Sequence, residues 1–438
     1  MIESTLFKSI KMVLPEGERE GDLLVENGVI KAIGPSITSS AEQIIKEKHL
    51  TLIPGCIDPH VHFRDPGITH KEDLESGSFA AAAGGVTSFF DMPNTNPATI
   101  SLKSMADKKI IASEKSIVNY NFFIGATNDN LEECLKAQNI AGIKIFVGSS
   151  TGNMLVNEPT ILEEFFKKSN KVIAVHSEDE ELIRKNEQEL KGSSDPITHL
   201  HIRDEQAAVK CTTMLLELAK KHQTRLHICH LTTWQEVDMF AELKEYPFIT
   251  TEVTPHHLLL SAPNIYDVKG TFAQANPPIR DKRHQQALFG ALQEGIIHCI
   301  GSDHAPHLPE EKIKAFPNAP SGIPAVESTL PLLLNQVNKG HFSLEQIVHL
   351  TSKAPAQCYN IQFKGMLKEG YDADLVLIDM DQKKEVNPKQ HKSKSKWSIY
   401  EGQTLQGWPM ATYVNGNLAY REGDIFSAIK GKEIVLGS

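Results

Sequence analysis

His60, His62, Lys144, His176, His230 and Asp303 are residue types that ligate metal ions or, for the lysine, can be altered to do so. His60 and His62 stand two apart in DPHVHFRD, so on an extended backbone both imidazoles face one side. Two imidazoles on one face make half a zinc site, although a His-x-His alone is more often structural. Lys144 lies inside the apolar run GIKIF, where a charged amine is costly unless paired or altered. It either snorkels to a rim or is carboxylated on its amine by CO2, which turns a cation into an anion able to bridge two metals. His176 and His230 close the β-rich runs KVIAVH and RLHICH. Asp303, in IGSDHAPH, could both ligate a metal and move a proton. His227 and the pair His256-His257 read as structural, the pair also as a support beside the site.

These residues need a frame that brings them together. Eight short apolar runs, at 56–60, 86–92, 118–124, 143–147, 172–176, 225–230, 248–254 and 296–303, alternate with amphipathic stretches such as 71–83, 102–113, 204–221 and 282–294. Repeated strand-then-helix predicts a parallel β/α architecture, and eight units predict a closed (β/α)8 TIM-like barrel, with a doubly wound open sheet as the alternative. In such a barrel catalytic groups sit at the C-terminal ends of the strands. The six residues fall there, on the first, fourth, fifth, sixth and eighth runs. Four imidazoles, one carboxylate and one modified lysine would hold two metals about 3.5–4 Å apart. The small polar segment 148–153 (GSSTGN) after the fourth run reads as a turn rather than a cover.

The two ends of the chain differ from this middle. Residues 22–34 alternate around Asn27-Gly28 and 411–420 around Asn415-Gly416, both hairpin signals, and 371–379 is strand-like. The tract 383–396 (KKEVNPKQHKSKSK) reads as a solvated loop. Boundaries follow at 1–54 and 366–438 for a small β domain and 55–365 for the barrel.

Composition limits the function. The 438 residues carry a net charge of −10, which argues against a nucleic-acid partner but allows an anionic substrate held by a few buried cations. Six scattered cysteines without a CxxC pair read as reduced thiols of a cytoplasmic protein. No run approaches about 20 apolar residues, so no membrane partner is expected.

Residues 58–65 (DPHVHFRD) continuing into PGITHKED, 84–97 (GGVTSFFDMPNTNP), 276–280 (NPPIR), 302–307 (SDHAPH) and 370–379 (GYDADLVLID) resemble the dihydroorotase group of the amidohydrolase superfamily. The resemblance spans almost the whole chain. It implies a metal-dependent barrel with a small β-sandwich domain built from both termini, and metal-ligand roles for the six residues above. Some bacterial members carry an aspartate where others carry a carboxylated lysine; Lys144 resembles the lysine type. By the same resemblance Arg64, Asn94 and His307 hold a substrate carboxylate, Asn276 contacts the ring amides, and Asp303 is the proton carrier. A homo-oligomer, such as a dimer, is compatible with it. The implied reaction is reversible hydrolysis of dihydroorotate to N-carbamoyl-aspartate with two divalent ions, zinc by preference. Arg64 could instead pair with Asp65 or Glu72. Rival activities are those of dihydropyrimidinases (hydantoinases) and allantoinases, and a rival without catalysis is a scaffold that has lost its ligands.

Overall fold

Stretches with a two-residue apolar period open the chain as strands β1 (Ser4–Leu14), β2 (Gly17–Glu26), β3 (Val29–Gly34), β4 (Gln43–Ile45) and β5 (Thr51–Pro54). The barrel strands follow: β6 (Cys56–Val61), β7 (Val86–Asp91), β8 (Asn119–Gly125), β9 (Gly142–Phe146), β10 (Ile173–His176), β11 (Leu226–Ile228), β12 (Ile249–Val253) and β13 (Cys299–Ile300). The chain ends on β14 (Leu375–Glu385), β15 (Thr404–Val414), β16 (Asn417–Arg421) and β17 (Asp424–Ile425). These come from a computed structural model, which describes residues 3–148 and 154–437. Most of the segment 148–153, read above as a turn, lies outside the described residues.

Each of the eight expected runs contributes one strand to a single parallel sheet in the order β6 to β13. The first and last strands meet through a parallel bridge between Val61 and His304, where His62 N donates to His304 O at 2.8 Å. That contact brings the sheet close to closure and sets His60 and His62 beside the segment that carries Asp303. The open-sheet alternative is thereby excluded. Inside each strand the two-residue period sorts the side chains. Ile143 and Ile145 belong to the core shared with the surrounding helices, so Lys144 between them faces the barrel interior. Ala174, Cys229, Phe90 and Phe123 fill a separate interior cluster.

The helices form where the amphipathic stretches predict them: Leu74–Ala83, Leu102–Lys115, Glu205–His222 and Lys282–Gln293. The first begins three residues later than its apolar pattern. Asp73 accepts from Ser76 N at 2.8 Å and caps it, which leaves Lys71 and Glu72 as loop residues.

Both chain ends build one further sheet, ordered β17-β16-β15-β14-β5-β1-β2-β3 with β4 on β1. β14 runs antiparallel to β5, with Leu375 opposite Pro54. The far edge curls back on β14: Val29 bridges Asp372, and Ala373 N donates to Gly28 O at 2.8 Å. The curl encloses Phe7, Ile10, Leu23, Leu52, Leu375 and Tyr413 in a core of their own. Gly28 sits at φ +80°, and a Cβ there would lie 2.7 Å from Asn415 O, so the two Asn-Gly turns can abut only without a side chain at that position.

The Lys-rich tract 383–396 departs from the solvated-loop expectation. Its first residues extend β14, and Ser393 and Ser395 are buried. The reason is a pair of distant acceptors: Ser393 Oγ donates to the fully buried Glu72, and Lys394 Nζ to Asp73 at 2.5 Å. The tract straps the terminal sheet onto the first barrel loop.

Candidate active site

One cavity at the C-terminal end of the barrel is lined by His60, His62, Lys144, His176, His230 and Asp303 together, with Arg64 and Asn276 on its wall. Strand geometry brings them there. His60 lies within β6 and His62 just beyond it, and His176 ends β10. His230 and Asp303 lie past their strands, at φ 37° and 45°, and Arg64 sits at φ 61°. Left-handed backbone at a non-glycine residue costs about 1–3 kcal/mol and persists where the surroundings enforce it, often at functional sites.

The imidazoles are oriented. His60 Nε2 and His62 Nε2 lie 3.2 and 3.1 Å from the same oxygen, Asp303 Oδ1. His176 Nδ1 faces His230 Nε2 at 3.1 Å. On the far side of three of these rings stands an oxygen acceptor. Glu252 Oε1 is 2.5 Å from His60 Nδ1, Asn94 Oδ1 is 2.7 Å from His62 Nδ1, and Glu178 Oε2 is 2.7 Å from His176 Nε2. Such an acceptor holds a proton on the outer nitrogen and turns the inner nitrogen to the cavity, where it can ligate a metal once it has given up any proton of its own. His60, His230 and Asp303 offer ligand atoms within 4.8 Å of one another. The donor set and its orientation therefore fit divalent cations. Two other groups, His60–Cys229–Glu252 and His227–Glu252–Cys299, meet the same spacing deeper in the barrel, but Glu252 is already shared there by His60, His227 and the backbone N of His230.

These contacts shift the protonation of the groups they join. Burial pulls His60 down, but Asp303 and Glu252 outweigh it and raise it to about 10. His62 is lowered by burial to about 4. Burial raises Asp303, yet His60 and His62 hold it well below the usual carboxylate range. Lys144 is fully buried and does not reach the rim; its Nζ donates to Cys229 Sγ at 2.9 Å. Arg64 is 4 % exposed and drops to about 10 through burial. It pairs with neither expected partner: Asp65 meets Lys115 at 2.7 Å, and Glu72 is taken by Ser76 and Ser393. Its Nε donates instead to Pro306 O at 3.3 Å, and Nη2 faces His307 Nε2 at 3.2 Å.

The remaining sequence candidates also have places. Asn276 brings a buried Oδ1 with no hydrogen-bond partner. His227 sits between Thr250 Oγ1 and Glu252, and His257 between Thr254 and Pro277 O, as structural residues do. His256 is buried against His257 with neither ring nitrogen partnered. Sequence reasoning missed Glu178 and Glu252. Glu178 carried a signal, a carboxylate two residues past a ligand-type histidine. Glu252 carried a weaker one, an acid at an inward position of a strand.

The family model described as the amidohydrolase family matches residues 51–419. A dihydroorotase of Methanosphaera stadtmanae is 35 % identical over 412 residues, covering 92 % of this chain and 94 % of that protein. A dihydroorotase of Bacillus cereus strain G9842 is 33 % identical, covering 95 % and 98 %. The solved L-hydantoinase (dihydropyrimidinase) of Arthrobacter aurescens superposes with a TM-score of 0.94 at 28 % identity, over 99 % of this chain and all of that one. With a metal-type cavity at the strand ends of a parallel barrel, the chain belongs to the amidohydrolase family. Within it, this is an enzyme of the cyclic amidohydrolase kind. Among the described residues no helix is long and apolar enough to cross a membrane.

Proposed function

We propose that the chain is a dihydroorotase, which hydrolyses dihydroorotate reversibly to N-carbamoyl-aspartate. The observation that carries this reading is Arg64, a buried guanidinium on the wall of the cavity that holds the six metal-type residues. A fork of donors beside a hydrolytic site suits a cyclic amide that bears a carboxylate. Relatives named dihydroorotase along nearly the whole chain support it.

His60, His62, Lys144, His176, His230 and Asp303 would hold two divalent cations, and zinc suits imidazole and carboxylate donors. When bound, the cations supply Lewis-acid polarisation of the ring carbonyl and a water acidified toward neutral pH. Lys144 would join the ligand set as a carbamate, formed when its amine adds to CO2 and releases a proton. Its burial without a carboxylate partner favours that modification.

The chain's own groups do the rest. Glu252, Asn94 and Glu178 keep three imidazoles turned inward. Arg64, with Asn94, receives the substrate carboxylate, and His307 walls the pocket beside Arg64, its own N–H going to Ser321 O. Asn276 Oδ1, without a hydrogen-bond partner among the described residues, accepts a ring N–H. Asp303, ionised beside His60 and His62, takes a proton from the attacking water and hands it to the leaving ring nitrogen. Water thus adds across the amide C–N bond and the ring opens; the reverse order closes it.

An ultraviolet assay of ring opening on dihydroorotate, with metal analysis of the same sample, tests the reading. Turnover with about two metals per chain is the expected result. Turnover of dihydrouracil, hydantoin or allantoin and none of dihydroorotate would reassign the substrate, and an inactive, metal-free chain would make it a scaffold.

A further inference from the structure

Lys71, in the stretch PGITHKED, was given no role by the chemistry above. Its Nζ lies 3.0 Å from His307 Nδ1 and 2.9 Å from Glu311 Oε1. An ammonium has only protons to offer, so His307 Nδ1 must accept. A neutral imidazole has one lone pair in the ring plane, and Lys71 uses it. Nε2 therefore carries the proton and donates to Ser321 O at 3.0 Å. Burial, with Arg64, Lys71 and Lys312 close by, keeps His307 far below the usual histidine range and hence neutral.

The consequence falls on Arg64. Its Nη2 stands 3.2 Å from that same Nε2. A guanidinium cannot accept and a protonated Nε2 cannot accept, so no hydrogen bond forms between them. We propose that Lys71 is a positioning residue for the anion pocket: by occupying the only lone pair of His307, it denies Arg64 that acceptor and keeps Nη2 for the carboxylate of a ligand. The identity of that carboxylate rests on the dihydroorotase reading; the tautomer of His307 does not.

If Lys71 merely paired with Glu311, Glu311→Gln would do what Lys71→Met does. The test uses the full chain with 15N-labelled histidine, the His307 signals being assigned by their loss in His307→Gln. Wild type should show Nε2–H alone, and Lys71→Met a mixture of tautomers, because Arg64 then competes for Nε2. For dihydroorotate, Lys71→Met should raise KM about tenfold, the size of one charge-assisted hydrogen bond, and leave kcat unchanged. KM for dihydrouracil, the same ring without the carboxylate, should not move. Glu311→Gln and Lys71→Arg should keep the wild-type tautomer, and Lys71→Arg also holds the cation if Lys71→Met fails to fold. An Nδ1–H form in wild type overturns the proposal, as does a Glu311→Gln enzyme that copies Lys71→Met, or a Lys71→Met enzyme with unchanged tautomer and KM. If wild type ignores dihydroorotate, the substrate reading fails while the tautomer still decides the role of Lys71.

Discussion

Glu252 Oε1 lies 2.5 Å from His60 Nδ1, both side chains fully enclosed by the barrel. The carboxylate comes from β12 and the imidazole from β6, so the contact spans the barrel interior. His227, on the other side of Glu252, meets its second oxygen at 3.3 Å. Glu252 thus holds a proton on Nδ1 of His60 and leaves Nε2 facing the cavity.

Removing it should weaken metal binding without touching any ligand. Glu252→Gln is expected to lower the affinity for zinc 10–100-fold, the usual effect of losing the partner behind a ligating histidine. Competition with a chromophoric chelator measures this on the folded protein. An affinity equal to wild type would leave Glu252 a purely structural acid.

Lys144→Ala tests the proposed ligand role of the lysine. Metal content and activity should fall together, and short carboxylic acids should restore part of both by filling the space that a carboxylated side chain would occupy. The variant should also fold, because it replaces a buried amine whose hydrogen bond goes to a thiol. Full activity in Lys144→Ala would remove the lysine from the ligand set.

Much of this was legible in the sequence because it is periodic. The barrel strands have apolar runs of the right length, and Lys144 declares its inward face by standing between two outward isoleucines. The six residues of the cavity could be picked out by their types at strand ends. What stayed hidden depends on contacts between distant segments. Glu178, Glu252 and Lys71 are ordinary charged residues until the fold sets each against a histidine. The tract 383–396 looks solvated by composition, yet Glu72 and Asp73, some three hundred residues earlier, supply the acceptors that bury part of it. The first helix starts at Leu74 and not at 71 because a single cap overrides the apolar pattern.

Gly322 lets its loop pack against Ala305 and His307. It sits at φ +144°, and a Cβ there would lie 2.5 Å from Ala305 O and 3.0 Å from His307 Cδ2. Alanine must push the loop off His307, whose Nε2 donates to the neighbouring Ser321 O. Gly322→Ala should cost about 1 kcal/mol or more in stability, read by denaturant unfolding. KM for dihydroorotate should rise more than kcat falls. A variant with wild-type KM would show that the loop adapts without disturbing the pocket.

Lys312 should give the stability of the protein a pH dependence of predictable sign. Its side chain is fully buried, donates to Gln274 O at 3.1 Å and Pro320 O at 2.8 Å, and is lowered by burial to about 7. In the unfolded chain it titrates near 10.5. Between these values the unfolded chain holds a proton that the folded one has released, so stability rises with pH across that window and the penalty is complete below pH 7. Lys312→Met removes the titration, though it also leaves two carbonyls without that donor. Thermal unfolding of both proteins should show wild type gaining on the variant from pH 7 to pH 10, and a constant difference below pH 7. A difference that stays flat over the whole range would mean that Lys312 keeps its ordinary pKa in the folded protein, its two carbonyl partners offsetting the cost of burial.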